Sequence, residues 1–395
     1  MGGEPTTAAS RGGARTRRGA TATALLAVAA SALSLLTAEA VLRGAERFGV
    51  APRDASARSA PLGASGHASA LGIPDDALYL RTAGGGLALR PNARVEIRAH
   101  AVSGRTTVVR TNALGFRGGP LAPRRAGVPR VLVLGDSVTL GDYVDEAETY
   151  PAALARALAA RGVAAEVVNA GVGSIGVDDM LPLLAGPGRA ADPDLVLVGL
   201  YLNDAQRSLF VAPPERWAGR SRLATLASVR LGRWRAERAW TAMMAARQPA
   251  LDAFLRTHAL SDTGDWRTDA HAFDREVAAA FADWGYAWSE AAWRELARGV
   301  AALRDEARAQ ERRVAVALFP VRHQVEAAQL HDEPQRAFAA AMEGLGVPHF
   351  DLLPALRDAR REPLFYDHCH LTPLGNRIVA EALAGFAARA LDGAD

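Results

Sequence analysis

Val131-Leu132-Val133-Leu134-Gly135-Asp136-Ser137-Val138-Thr139-Leu140-Gly141 decides the fold, because four apolar residues stop at a glycine and deliver a serine where a strand would end. An unbroken apolar run suits a parallel strand buried on both faces, and open α/β sheets carry their chemistry at the carboxyl ends of such strands. Ser137 is therefore a candidate nucleophile.

A serine hydroxyl is a weak nucleophile at neutral pH and needs a base, and that base needs an orienting carboxylate. Both stand near the other end of the chain. In Phe365-Tyr366-Asp367-His368-Cys369-His370-Leu371-Thr372-Pro373, the aspartate Asp367 precedes His370 by three residues, just before an amphipathic stretch that predicts a helix over 373–390. One turn of chain can join the two side chains. Two further segments suit an oxyanion hole. Glu166-Val167-Val168-Asn169-Ala170-Gly171 reads as a strand ending in a glycine, whose backbone N–H could approach a substrate oxygen beside that of Ser137. Leu195-Val196-Leu197-Val198-Gly199-Leu200-Tyr201-Leu202-Asn203 reads as another, with the Asn203 amide as third donor.

These four segments, in this order, resemble the GDSL-like SGNH hydrolases, named for a serine, a glycine, an asparagine and a histidine in four sequence blocks. The matching residues are Ser137, Gly171, Asn203 and His370, with Asp367 in the family's Asp-x-x-His spacing. The resemblance covers about 130–204 and 313–390, and Asn112-Ala113-Leu114-Gly115-Phe116-Arg117-Gly118 looks like the segment that often precedes the first block in envelope-associated members. Val138 stands where the family name has leucine. The resemblance implies ester hydrolysis through an acyl-enzyme on a flavodoxin-like, three-layer α/β/α parallel sheet.

Other readings of the same residues are weaker. Gly171-Val172-Gly173-Ser174-Ile175-Gly176 matches the dinucleotide fingerprint G-x-G-x-x-G, but the fingerprint expects an acidic residue at the end of the next strand about twenty residues on, whereas the next strand here ends further along, at Asn203-Asp204. Asp367, His368, Cys369 and His370 could be called a metal cluster, yet no second Cys or His pair accompanies them. Taken singly, Ser137 could be only a helix cap and His370 an ordinary polar residue. That account leaves unexplained why nucleophile, base, orienter and donors fall at successive strand ends. No metal or organic cofactor is called for. Cys369 is the sole cysteine and is read as a packed small residue.

Composition removes further classes. The chain has no lysine, so all 46 basic residues are arginine, which excludes a Walker A lysine, a Schiff-base lysine and a Ser-Lys dyad. The net charge is only +3, and much of the basic excess lies in the first 58 residues, with eight arginines against four acidic groups. No basic stripe interleaved with aromatics marks the rest, which argues against nucleic acid as a partner.

Arg11, Arg15, Arg17 and Arg18 precede twenty uncharged residues, 19–38. That length matches a bilayer span, and the arginines would stay cytoplasmic, placing the remainder outside the inner membrane. The organisation expected is a basic segment over 1–18, a signal anchor over 19–42, a linker over 43–70, a small β-rich appendage over 71–126, and the hydrolase domain over 127–395. Ala38-Glu39-Ala40 offers a small-x-small cleavage pattern, so a secreted or periplasmic form is the alternative. Strands are expected in the appendage at 87–90, 95–98 and 106–110. The core reads as alternating strands and helices at 131–134, 147–161, 166–169, 177–184, 195–200, 287–311, 314–318, 326–345 and 349–351.

One block interrupts that alternation, a helical insertion over about 205–286. All seven tryptophans lie between Asn203 and the strand at 314. Beside the cleft they could wall the substrate site, although large aromatics mostly fill cores. Arg322 and His323 follow the fourth core strand and could line the cleft, although His323 is more readily a surface residue or one that supports the site from behind. The expected activity is a membrane-tethered serine esterase acting on O-acetyl groups of polysaccharide, or on lipid and small acyl esters. An O-acyltransferase on envelope polysaccharide and a non-catalytic carbohydrate-binding or assembly protein are the rivals.

Overall fold

The computed structural model describes residues 13–47, 77–82, 86–206, 208–258, 260 and 264–393. Most of the expected linker lies outside these residues. The first described element is helix α1 (Gly13–Arg47), followed by two antiparallel ribbons, β1 (Tyr79–Arg81) with β2 (Leu87–Leu89) and β3 (Arg94–Ile97) with β4 (Thr107–Arg110). Within α1, Ala22–Ala45 is long and apolar enough to cross a membrane and buries none of that window against the protein.

The core alternates. It runs β5 (Arg130–Gly135), α2 (Ser137–Leu140), α3 (Tyr150–Ala160), β6 (Glu166–Gly171), α4 (Val177–Leu183) and β7 (Leu195–Tyr201). After the insertion, which holds α5 (Arg222–Thr257) and α6 (Ala270–Ala279), come α7 (Glu290–Ala309), β8 (Arg313–Phe319), α8 (Arg322–Glu326), α9 (Glu333–Leu345), β9 (His349–Asp351), α10 (Leu353–Asp358) and α11 (Pro373–Asp392). Five strands form one parallel sheet in the order β6-β5-β7-β8-β9. This is the flavodoxin-like order, and its switch point falls between β5 and β7. The chain winds one way from β5 to β6 and the other way from β7 to β9. Because each crossover keeps the same hand, α3 and α11 pack together over one face while α4, α7 and α9 cover the other.

Every residue of β5 and β7 is buried, as their continuous apolar runs require. Fully burying one such Val or Leu is worth roughly 1.5–3 kcal/mol, so the two central strands dominate the stability of the sheet. Polar caps bound the helices. Thr149 accepts from Ala152 N ahead of α3, Ser289 from Ala292 N ahead of α7, and Thr372 from Gly375 N ahead of α11. The helix expected over 326–345 begins only at Glu333, as α9, and 327–332 separates it from α8. Pro334 in the first turn of α9 lacks the N–H a continuous helix would need and disfavours helical geometry in the residue before it. The short strand β1 had no alternation to announce it.

Candidate active site

Three glycines stand in register across three adjacent strands: Gly135 of β5 lies beside both Gly171 of β6 and Gly199 of β7. Together they make a shelf on which the short helix α2 rests. A Cβ on Gly135 would lie 2.1 Å from Thr139 Oγ1, and one on Gly171 would lie 2.2 Å from Leu140 N. On Gly199 it would meet the Tyr150 hydroxyl at 2.6 Å, the group that shares a 2.7 Å hydrogen bond with Thr139 Oγ1. Only hydrogen fits at these positions, and so the serine can emerge directly above the strand ends.

The two ends of α2 are pinned by side chains. Asp136 caps the start by accepting from Val138 N at 2.9 Å. At the other end Asn169 Nδ2 donates to Thr139 O at 2.8 Å, and the buried Arg117 guanidinium donates to Leu140 O at 2.6 Å and Val144 O at 2.8 Å. A cation here complements the negative end of the helix. The 112–118 segment thus buttresses the Ser137 turn from behind. The Asn112 carboxamide shapes that segment by accepting from Leu114 N and Phe116 N.

Above the shelf, the Ser137 hydroxyl lies 2.9 Å from His370 Nε2, and His370 Nδ1 lies 2.7 Å from Asp367 Oδ2. The other carboxylate oxygen, Oδ1, accepts from the backbone N–H groups of Cys369 and His370. Burial opposes ionisation of Asp367, but the His370 hydrogen bond and charge and these two N–H groups outweigh it, holding the carboxyl well below the usual range. Ser137 and His370 come from opposite ends of the chain. They meet because α11 packs on α3, where Asn376 Oδ1 accepts from Tyr150 N at 2.9 Å.

Several neighbours had no sequence signal. Tyr143 stacks on the His370 ring, with centroids 3.9 Å apart and planes 14° from parallel. Asp283, from the insertion, accepts from Asn203 Nδ2 at 2.6 Å and lies 3.5 Å from His368 Nε2. Burial works against a charged His368, yet the hydrogen bond and charge of Asp283 raise its pKa overall. His323 is half-buried. Its ring sits between Trp266 and Trp284, at 4.3 and 4.9 Å between centroids. The tryptophans divide between roles, with Trp284 and Trp293 buried while Trp217 and Trp234 are exposed.

One donor assignment needs correction. The Gly171 N–H is committed to Asn169 Oδ1 at 3.0 Å, inside the β6 strand end, and the residue belongs to the shelf beneath α2. Three residues on, Ser174 takes a left-handed φ of 64° and is half-buried between buried neighbours. The Gly171 to Gly176 fingerprint leaves no room for a dinucleotide either, since a Cβ on Gly176 would lie 1.7 Å from Gln206 O. Among the described residues, Asp367, Cys369 and His370 are the one His/Cys/carboxylate group close enough to share an ion, with donor atoms within 4.8 Å. An ion there would have to break the Asp367–His370 hydrogen bond, and burial pushes the Cys369 thiol up, away from the thiolate a metal would prefer.

Residues 133–378 match the GDSL-like Lipase/Acylhydrolase family. Similar solved structures include the acetyl xylan esterase AlAXEase, at 14% identity over 65% of this chain and 98% of that one, with a TM-score of 0.37. Another is a catalytic mutant of the acetylxylan esterase Axe2 from Geobacillus stearothermophilus, at 16% identity over 69% and 98%, with a TM-score of 0.38. A third is LAE5, an alpha/beta hydrolase enzyme from the metagenome of Lake Arreo, Spain, at 15% identity over 67% and 97%, with a TM-score of 0.38. No curated protein matches the chain. With the family covering more than half of its length, the chain belongs to the GDSL-like Lipase/Acylhydrolase family and is a carboxylic ester hydrolase.

Proposed function

We propose that the protein is a serine esterase that works through an acyl-enzyme, with Ser137 as nucleophile, His370 as general base and Asp367 as its orienter. The observation that carries this reading is the continuous hydrogen-bonded chain Asp367–His370–Ser137, at 2.7 and 2.9 Å. Ser137 Oγ bonds to the ester carbonyl carbon as its proton passes to His370 Nε2. The tetrahedral oxyanion is held by the N–H of Ser137, the Asn203 amide and, in place of Gly171, the backbone N–H of Ser174. Collapse breaks the bond to the alkoxy oxygen, which leaves as an alcohol with the proton from His370. Water then attacks the acyl-enzyme, giving its proton to His370, and release of the carboxylic acid returns that proton to Ser137.

The Asp367 carboxylate stays ionised through the cycle, so it stabilises the imidazolium without taking its proton. Tyr143, stacked on the same ring, fixes its plane and offers a π face to the transient cation. Asp283 uses one hydrogen of the Asn203 amide, leaving the other to face the substrate oxygen.

The proposed setting is outside the inner membrane, tethered by α1, whose Ala22–Ala45 stretch has a mean hydropathy of 2.0. The substrates proposed are O-acetyl groups of envelope polysaccharide or lipid and small acyl esters. The test compares the full chain with Ser137→Ala in detergent on p-nitrophenyl acetate, butyrate and octanoate, alongside fluorophosphonate labelling. Turnover and labelling both lost in the variant support the reading and give the chain-length preference. Labelling of the wild type without turnover indicates transfer to an acceptor other than water, and a folded wild type with neither signal overturns the proposal.

A further inference from the structure

The insertion helix α5 is joined to α1 by a buttoned contact. Glu39 of α1 accepts from Arg222 N at 2.8 Å, Leu223 N at 2.9 Å and the Ser221 hydroxyl at 3.1 Å, so its carboxylate sits on the amino end of α5. A negative charge there complements the helix dipole and supplies acceptors that the first turn lacks. Arg43, four residues on, holds Glu39 Oε1 at 2.7 Å and also donates to Arg220 O. The end of the apolar helix is thus part of the fold of the insertion.

The inner face of α5 is accounted for. Val229 and Phe254 are buried, Gly232 admits Val211, and the Arg247 guanidinium donates to Ala282 O at 3.0 Å while lying 3.8 Å from the Tyr286 ring centroid. The outer face is different. Leu226, Arg230, Trp234 and Arg238 follow one another at i, i+4 spacing, with Leu231 and Arg235 beside them. Leu226, Leu231 and Trp234 are 50%, 48% and 51% exposed, and Arg238 lies over the Trp234 ring at 4.4 Å. From 222 to 238 there are five arginines and a single acid, Glu237.

We propose that this outer face of α5 rests on the headgroup layer of the membrane that α1 spans, taking the phosphates of anionic lipids. The inference depends on the reading of α1 as a membrane span. The twenty uncharged residues 19–38 of α1 rise about 30 Å, the thickness of the hydrocarbon layer, so Glu39 comes out where lipid tails give way to headgroups. The first turn of α5 begins at that level because Glu39 caps it. Tryptophan and leucine suit the boundary between tails and headgroups, and arginine forks onto phosphate oxygens while its stem stays among apolar groups. Such a contact would lay the esterase along the membrane surface as well as tethering it.

The test uses the full chain reconstituted in vesicles of phosphatidylcholine, with and without phosphatidylglycerol. A spin label is placed at Trp234→Cys or, separately, at Leu33→Cys, and its collisions with oxygen and with a water-soluble nickel chelate are measured; the native Cys369 is buried. Hydrolysis of p-nitrophenyl acetate reports that each labelled chain is folded. The expected result is a label at 33 shielded from nickel in both vesicles, and one at 234 shielded chiefly when phosphatidylglycerol is present. Replacing Arg230, Arg235 and Arg238 by Gln should then re-expose the label at 234, each arginine contributing about fivefold to headgroup association. A label at 33 shielded with one at 234 fully open to nickel overturns the α5 contact and leaves the anchor standing. A label at 33 open to nickel removes the anchor and the proposal with it. Shielding at 234 that ignores both phosphatidylglycerol and the three substitutions overturns the assignment to anionic lipid.

Discussion

Asp283 accepts a 2.6 Å hydrogen bond from the side-chain amide of Asn203, tying the insertion to the loop that follows β7. The carboxylate can fix which way the amide faces, because a charged acceptor leaves the Asn203 oxygen unwelcome at that site. Asp283→Asn is expected to lower kcat about tenfold with little change in KM, whereas Asn203→Ala should cost about a hundredfold, in the range of a lost oxyanion donor. Combining both should be no worse than Asn203→Ala alone, because Asp283 acts through Asn203. Steady-state kinetics of the two single variants and the double variant check this, and additive losses would show that Asp283 acts on its own.

Tyr143 lies flat on the His370 ring while its hydroxyl hydrogen-bonds the Asp367 side chain, and the larger share of its contribution is expected from the aromatic face. An aromatic stack is worth about 0.5–1.5 kcal/mol. Tyr143→Leu should therefore reduce kcat/KM by about three- to tenfold, while Tyr143→Phe stays within about threefold of the parent. Equal losses in both would assign the effect to the hydroxyl.

Gly171→Ala keeps the backbone N–H and adds a Cβ 2.2 Å from Leu140 N. Backbone on both sides cannot yield cheaply, so a loss of about 3 kcal/mol is expected. A urea midpoint equal to that of the parent would remove Gly171 from the shelf under α2.

His323 gives the fold a dependence on pH. Burial first, then the charges of His368 and Arg322, push its pKa down from 6.5 to about 4. The unfolded chain takes up a proton at this residue near 6.5 and the folded chain does not, so its contribution is complete above 6.5 and is lost as the pH falls towards 4. His323→Phe should flatten the stability profile across that window by about 2 kcal/mol, read from urea midpoints between the two pH values. An unchanged profile would mean the imidazole is solvated despite Trp266 and Trp284.

The buried parallel strands, the serine just past a strand end and the Asp367–His370 pair were legible in the chain itself, because they rest on local physics. Apolar runs that end in glycine make buried parallel strands, a serine two residues past such an end faces the cleft, and an aspartate three residues before a histidine lies within reach of its ring. The sequence could not say which backbone N–H after β6 is spent inside the fold. Gly171 and Ser174 differ by three residues, but only the register of β5 with β6 and β7 reveals that the first carries α2. Nor could it pair Asn203 with Asp283, eighty residues away, or lay Tyr143 on His370. Those contacts depend on loops and an insertion without periodicity, whose placement is set by what they pack against and not by any pattern of their own.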